Sequence, residues 1–262
     1  PKLEQSLEKL CAESALHAGH RLGSATDGSP VRAIPAASLL CFDDGKPTQV
    51  VAKLLASDAA LKAEGHPRAL TDEASAALAC LGEAMSAPSW AAPTNLAEGL
   101  GALCAALAWP AATHAFPALD LLRLTVLRSG VAVLFCADFC DEVSSSSRLG
   151  SRLYAGVRAL VSADAGSVCQ MLALRVVANV LASAPPGALP GGSGLAIAPP
   201  ILEAAAAAGA HESPRAGTRR ALATLLVNQS VLLHRHAAST DDKTPTLCAL
   251  QQRLTAAVGA DE

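Results

Sequence analysis

Apolar residues recur along this chain at intervals of three and four, the period of an α-helix. In KLEQSLEKLCAESALHA (2–18) they fall at 3, 7, 10, 11 and 15 with charges between them, which predicts a helix. Residues 19–35 contain Gly, Ser and Pro and read as a linker. The segment IPAASLLCFDDGKPTQVVAKLLA (34–56) starts as a short extended apolar piece and turns at Asp43-Asp44-Gly45. It then opens a helix at Pro47 and Thr48, where proline's missing N–H costs nothing. Thr71 followed by Asp72 and Glu73 predicts a capped helix over 72–86, the carboxylates suiting the positive end of the helix dipole.

Pro88 and Pro93 break the next connection, and further helices fit 94–107, 114–128, 131–139, 148–162, 167–182, 199–208, 215–236 and 245–258. Ser129-Gly130 ends the run at 114–128. SAPPGALPGGSGLAIAPP (183–200) is the clearest loop, too rich in Pro and Gly for regular structure. About ten short helices joined by short links, with no strand alternation, describe an all-α chain and suit an α-solenoid. A compact helical bundle satisfies the same periodicity.

Composition supports the helical reading. Half of the residues (51%) are hydrophobic, aromatics are only 3%, and alanine and leucine, the strongest helix formers, dominate. A chain of 262 residues can bury a substantial core. The net charge of −3 lacks the basic excess of a nucleic-acid binder. Charge is nevertheless uneven: residues 144–236 carry eight arginines against three carboxylates, while residues 1–115 carry eight cations against twelve carboxylates. A basic stretch in a mildly acidic chain suits an acidic partner, or is simply a solvated face. No signal peptide and no uninterrupted apolar stretch of membrane-spanning length is visible. The chain opens on Pro1, as expected of a piece cut from a longer protein.

The eight cysteines (11, 41, 80, 104, 136, 140, 169 and 248) form no CxxC pair and fall mostly in apolar helical runs, so buried reduced thiols in a cytosolic protein are expected. The seven histidines show no ligand spacing to them, so no metal site is expected. Nucleotide-binding glycine motifs, zinc-protease motifs and nucleophile elbows are absent, and nothing beside Cys136 and Cys140 supplies a base. A cysteine-dependent enzyme fragment would need a Cys, a His and an acid brought together by the fold.

What stands out is a narrow polar line on otherwise apolar helices. Arg175 and Asn179 lie four apart in SVCQMLALRVVANVLA; Arg220, Thr224 and Asn228 repeat the spacing; Asp120 and Arg123 share a face three apart. Amides can hydrogen-bond an extended peptide's backbone and guanidiniums can pair with its carboxylates, as a peptide-binding groove requires. The alternative is that Asn179 and Asn228 bond loop backbone within the core and that Arg123 pairs with Asp120.

Four segments carry a family resemblance. FPALDLLRL (116–124) resembles the hallmark of PUL domains, found at the C-terminus of phospholipase-activating protein and its yeast ubiquitin-pathway relative. IPAASLLCFDDGKPTQVVAKL (34–54), LALRVVANV (172–180) and ALATLLVNQSVLLH (221–234) resemble three further PUL segments, in the family's order. The resemblance implies an armadillo-like superhelix over 34–262, after an N-terminal helix and linker at 1–33, and a monomer as an isolated domain. It implies a non-catalytic adaptor, without a cofactor, that binds the acidic C-terminal tail of the valosin-containing-protein-type AAA unfoldase in ubiquitin-dependent processing. That role belongs to the cytoplasm and the nucleus, with neither nucleic acid nor membrane as partner. Within the matching motifs the groove residues are Arg123, Arg175, Asn179 and Asn228, with Arg220, His234 and Arg235 beside them. The family pattern extends about another repeat past residue 262, so either a terminal repeat is missing or Glu262 ends a shorter variant, and the 183–200 loop is longer than the family's. An armadillo-like reader of a different acidic or disordered partner is the nearest other function.

Overall fold

The computed structural model describes residues 39–110, 114–128, 130–137, 147–184, 193–210, 213 and 215–239; of these, the side chains at 135–137, 147–148, 163, 193–196 and 233–239 are not described. The helices expected at 2–18 and 245–258 lie outside the described residues. The described residues form nine α-helices and no strand: α1 (Pro47–Ala63), α2 (Asp72–Ser86), α3 (Leu96–Ala106), α4 (Phe116–Thr125), α5 (Val131–Ala137), α6 (Ser147–Ala159), α7 (Gly166–Ser183), α8 (Ser193–Ala207) and α9 (Ala216–Ser239). A 3-10 turn at Ala163–Ala165 leads into α7.

Local sequence explains most of these boundaries. Pro47 occupies the first turn of α1. Thr71 caps α2, its Oγ1 accepting the N–H of Ala74 at 3.2 Å. The α1–α2 connection is tied by the buried Asp58, whose carboxylate accepts the N–H of Leu70 at 2.7 Å and the hydroxyl of Ser75 at 3.1 Å. Lys62 completes the charge balance at 3.1 Å from Asp58. Gly130, at φ +87°, makes the left-handed turn between α4 and α5 that a side chain would resist.

Several helix ends shift by two or three residues from the sequence reading, and one boundary differs by more. The helix expected to start at 199 begins at Ser193, and Pro199 and Pro200 lie inside it. Their two missing N–H groups weaken this helix, yet Ile197, Ala198, Ile201 and Ala205 are fully buried, and their packing holds the chain helical through the prolines. The Tyr154 hydroxyl adds a bond from α6 to the carbonyl of Ile197 at 2.9 Å.

Packing arranges the helices in two rows. α1 packs on α4, α4 on α7 and α7 on α9, giving one inner row. α2 and α3 pair behind α1, α3 meets α6, and α5, α6 and α8 cover the rest. This is an all-α armadillo-like arrangement. α7 is the helix at its centre. It is long and apolar enough to cross a membrane by length and composition, but 61% of its span is buried among the other helices, as in a core helix of a folded domain.

Some contacts are too close for any side chain but hydrogen. A Cβ on Gly82 of α2 would stand 2.6 Å from Cγ2 of Val51 on α1. Gly82→Ala should therefore destabilise the domain by about 1–3 kcal/mol, as overpacking does. Urea denaturation checks this, and adding Val51→Ala should recover part of the loss. An additive double variant would show that the two helices do not meet as closely as described.

Candidate peptide-binding site

The extended residues before α1 run across the inner row and are held at every second residue. Leu40 is gripped from α9: its N–H donates to Asn228 Oδ1 at 2.8 Å, and its carbonyl accepts Asn228 Nδ2 at 2.7 Å. Phe42 is gripped from α7 in the same way, its N–H donating to Asn179 Oδ1 at 2.7 Å and its carbonyl accepting Asn179 Nδ2 at 2.9 Å. Asp44 is gripped from α4, where Arg123 Nη2 donates to its carbonyl at 2.6 Å. Each asparagine amide bonds one residue's N–H and C=O together, as a neighbouring strand would.

These polar groups are deeply buried, and every donor and acceptor of the two amides is bonded. Asn179 and Asn228 are 0% exposed and Arg123 is 4% exposed. Asn179 Nδ2 also donates to the Arg123 carbonyl at 2.7 Å, and Asn228 Nδ2 to that of Ala178 at 3.0 Å, so the amides tie the inner helices to one another as well. Arg123 donates through Nη1 to the Phe42 carbonyl at 2.9 Å and through Nε to Asp120 at 2.5 Å. Of the sequence's candidates, Arg123, Asn179 and Asn228 are thus brought together, and they bond the chain's own backbone. While residues 40–44 stay docked, a second peptide cannot use those same atoms.

Arg175 differs, although it lies one turn from Asn179. It is half-buried, with its guanidinium 4.7 Å from the centre of the Phe42 ring, and it makes no hydrogen bond or ion pair among the described residues. Its Nε is buried without a partner. Burial, and then the neighbouring Arg123 guanidinium, push its pKa down; Asp44 and Asp120 oppose this, and Arg220 adds to it. The exposed Arg220 therefore stands close enough to Arg175 to be felt, while Thr224 and Asn228 further along α9 are buried. The polar line runs from the rim inward. His234 and Arg235 lie on α9, and their side chains are outside the described residues.

A second basic spot was not singled out from the sequence. Asp43, Lys46, Thr48, Ser86 and Arg128 help line a cavity of about 570 Å³ on the α1 side of the docked segment. Arg128 donates to the Met85 carbonyl at 3.0 Å and stacks over Trp90 at 5.7 Å. Its contacts come from residues some forty positions away, which no local spacing announces.

The cysteines divide by position. Cys104 and Cys169 are buried, and desolvation pushes both thiols up, with Arg152 opposing at Cys104. Cys80 is exposed, contrary to its expected burial, because α2 turns that position outward. Cys41 is exposed as well, on the docked segment. Cys11, Cys136, Cys140 and Cys248 lie outside the described side chains. Among the described residues, no group of three or more His, Cys, Asp or Glu could hold a metal ion.

An armadillo-like stack of helices whose inner row grips extended backbone through asparagine amides defines a helical protein-interaction module. The chain belongs to the PUL domain family, whose model matches residues 34–260. No curated protein matches the chain significantly.

Removing an amide clamp leaves buried backbone groups unpaired. Asn179→Ala leaves the Phe42 N–H and the Arg123 carbonyl without this partner, while the Phe42 carbonyl keeps Arg123, and should cost about 3 kcal/mol in urea unfolding. A loss below about 1 kcal/mol would mean that the segment's backbone finds water instead. In the folded protein, exposed Cys80 should alkylate readily, Cys41 less readily because partial burial and the Asp43 carboxylate push its thiol up, and Cys104 and Cys169 most slowly, as mass spectrometry of a timed reaction would read. A fast-reacting Cys104 or Cys169 would contradict their burial.

Proposed function

We propose that this chain is a non-catalytic adaptor that binds the acidic C-terminal tail of the valosin-containing-protein-type AAA unfoldase, in ubiquitin-dependent processing in the cytoplasm and nucleus. Membership of the PUL family, a family of protein-interaction modules, supports the general reading. The observation that carries the finer one is Arg175. A guanidinium that is half out of water, with a buried and unbonded Nε and no carboxylate of the described residues within ion-pair distance, is poised for an incoming acid. Arg220 beside it adds a second positive charge at the rim. The Phe42 ring beneath Arg175 limits where the guanidinium can point, so less side-chain freedom is lost on binding.

Arg123, Asn179 and Asn228 support this site at one remove. By holding Phe42 in place they hold the surface on which Arg175 lies. The clamp builds the platform, and Arg175 and Arg220 meet the ligand.

A titration of the chain with a synthetic peptide of the unfoldase tail tests this, with a tail-truncated unfoldase as control. Arg175→Ala should weaken binding by about 10- to 100-fold, the worth of a hydrogen bond to a charged group. Its stability should change by no more than about 1–2 kcal/mol, since only the stacking on Phe42 is lost. Affinity should also fall as salt rises toward physiological strength, because the attraction is partly screened. Normal binding by a variant that melts much earlier would make Arg175 a structural residue. Salt-insensitive binding would point to an apolar anchor in its place.

A further inference from the structure

The docked segment has a second edge. In an extended chain the N–H and C=O of one residue point to one side, and those of the next residue to the other. Leu40 and Phe42 turn both groups toward α9 and α7, and Asp44 turns its carbonyl toward α4. The backbone groups of Cys41 and Asp43 must then point away from the helices. No hydrogen bond from any described residue reaches them. Both residues are exposed. Residues 40–44 are therefore a single extended segment, paired on one edge by side chains of the helices and, among the described residues, open on the other. An open strand edge is a template for another strand.

We infer that an extended acidic peptide docks by adding a strand to the open edge of residues 40–44, with a carboxylate facing Arg175. This inference rests on the proposed recognition of an acidic tail and supplies its geometry. In the added strand, two alternate residues bond the N–H and C=O groups of Cys41 and Asp43, and the residue between them lies opposite Phe42. That middle residue shares Phe42's face of the strand, where the Arg175 guanidinium lies over the ring. An aspartate or glutamate there meets the unpaired cation. Residues opposite Cys41 and Asp43 lie on the other face, where the exposed Asp43 carboxylate disfavours an acid. Main-chain bonds would thus supply much of the affinity, and one acidic position the register. The Asn and Arg clamps remain on their own segment throughout, so the ligand displaces nothing.

The edge can be closed without touching the clamps. Cys41→Pro removes the outward N–H and sets a ring in its place. Proline's fixed φ suits extended backbone, and it also favours extended backbone at Leu40. The same acidic peptide should bind this variant at least about tenfold more weakly, with the melting temperature near that of the parent chain. N-methylation of the peptide, one amide at a time, should read out in alternation on the unmodified protein: loss at the two bonding positions, little change at the acidic residue between them. This second measurement holds even where Cys41→Pro fails to fold. A peptide that does not bind the parent chain at all would overturn the acidic-tail reading itself. A peptide that binds, loses affinity with Arg175→Ala, and shows no alternation on N-methylation would overturn strand addition alone.

Discussion

A carboxamide in the C-terminal part of α7, fully out of water, costs several kcal/mol unless its donors and acceptor are all met. So does a stretch of extended backbone laid across a row of apolar helices. In this domain each problem is the other's solution. Asn179 and Asn228 spend their amides on the N–H and C=O of Phe42 and Leu40, and their remaining hydrogens on carbonyls of the neighbouring helices. The segment before α1 is therefore part of the core's polar accounting. Helices α4, α7 and α9 cannot satisfy their buried groups in isolation from it, which links residue 40 to residue 228 across nearly the whole described chain.

Much of the helical framework was readable in the sequence, because its signals are local. Pro47 starts α1, Thr71 caps α2, and the apolar period gives α7 to within a residue at each end. The polar line was readable too, since Arg175 and Asn179 stand out on an apolar helix. Its partners were not. The bonds from Asn179 and Asn228 to the segment join residues 137 and 188 positions apart, and helical spacing reports which face is polar without reporting what lies against it. The open alternative, that the amides bond loop backbone in the core, is what their geometry shows. The α8 boundary was missed because the Pro-Gly signal is local, whereas the burial of Ile197 and Ile201 that outweighs it is tertiary.

One turn of α7 separates the two kinds of work the polar line does. Asn179 points into the row and is wholly consumed by structure; Arg175 reaches the rim, over Phe42, and is left with an unmet donor. Burial acts oppositely on their usefulness. A neutral amide can be buried at modest cost once it is fully bonded. A guanidinium keeps its charge even where desolvation opposes it, so a partly buried one without an ion pair retains a standing preference for an anion.

The clamp's chemistry also limits what it can discriminate. Asn228, Asn179 and Arg123 bond only main-chain atoms of Leu40, Phe42 and Asp44, apart from the long contact of Arg123 to the Asp44 carboxylate at 3.7 Å. Such bonds would accept almost any sequence that can lie extended. Phe42 is the exception, because its ring is buried and carries Arg175. The inner row thus fixes the position of a strand while leaving its identity mostly to one aromatic side chain. Selectivity toward a partner must then arise at the rim, from the placement of charge. There the positive charge of Arg175 and Arg220 is opposed by Asp44 and Asp120, so on the proposed reading a ligand would be selected by where its acids fall and not only by how many it carries.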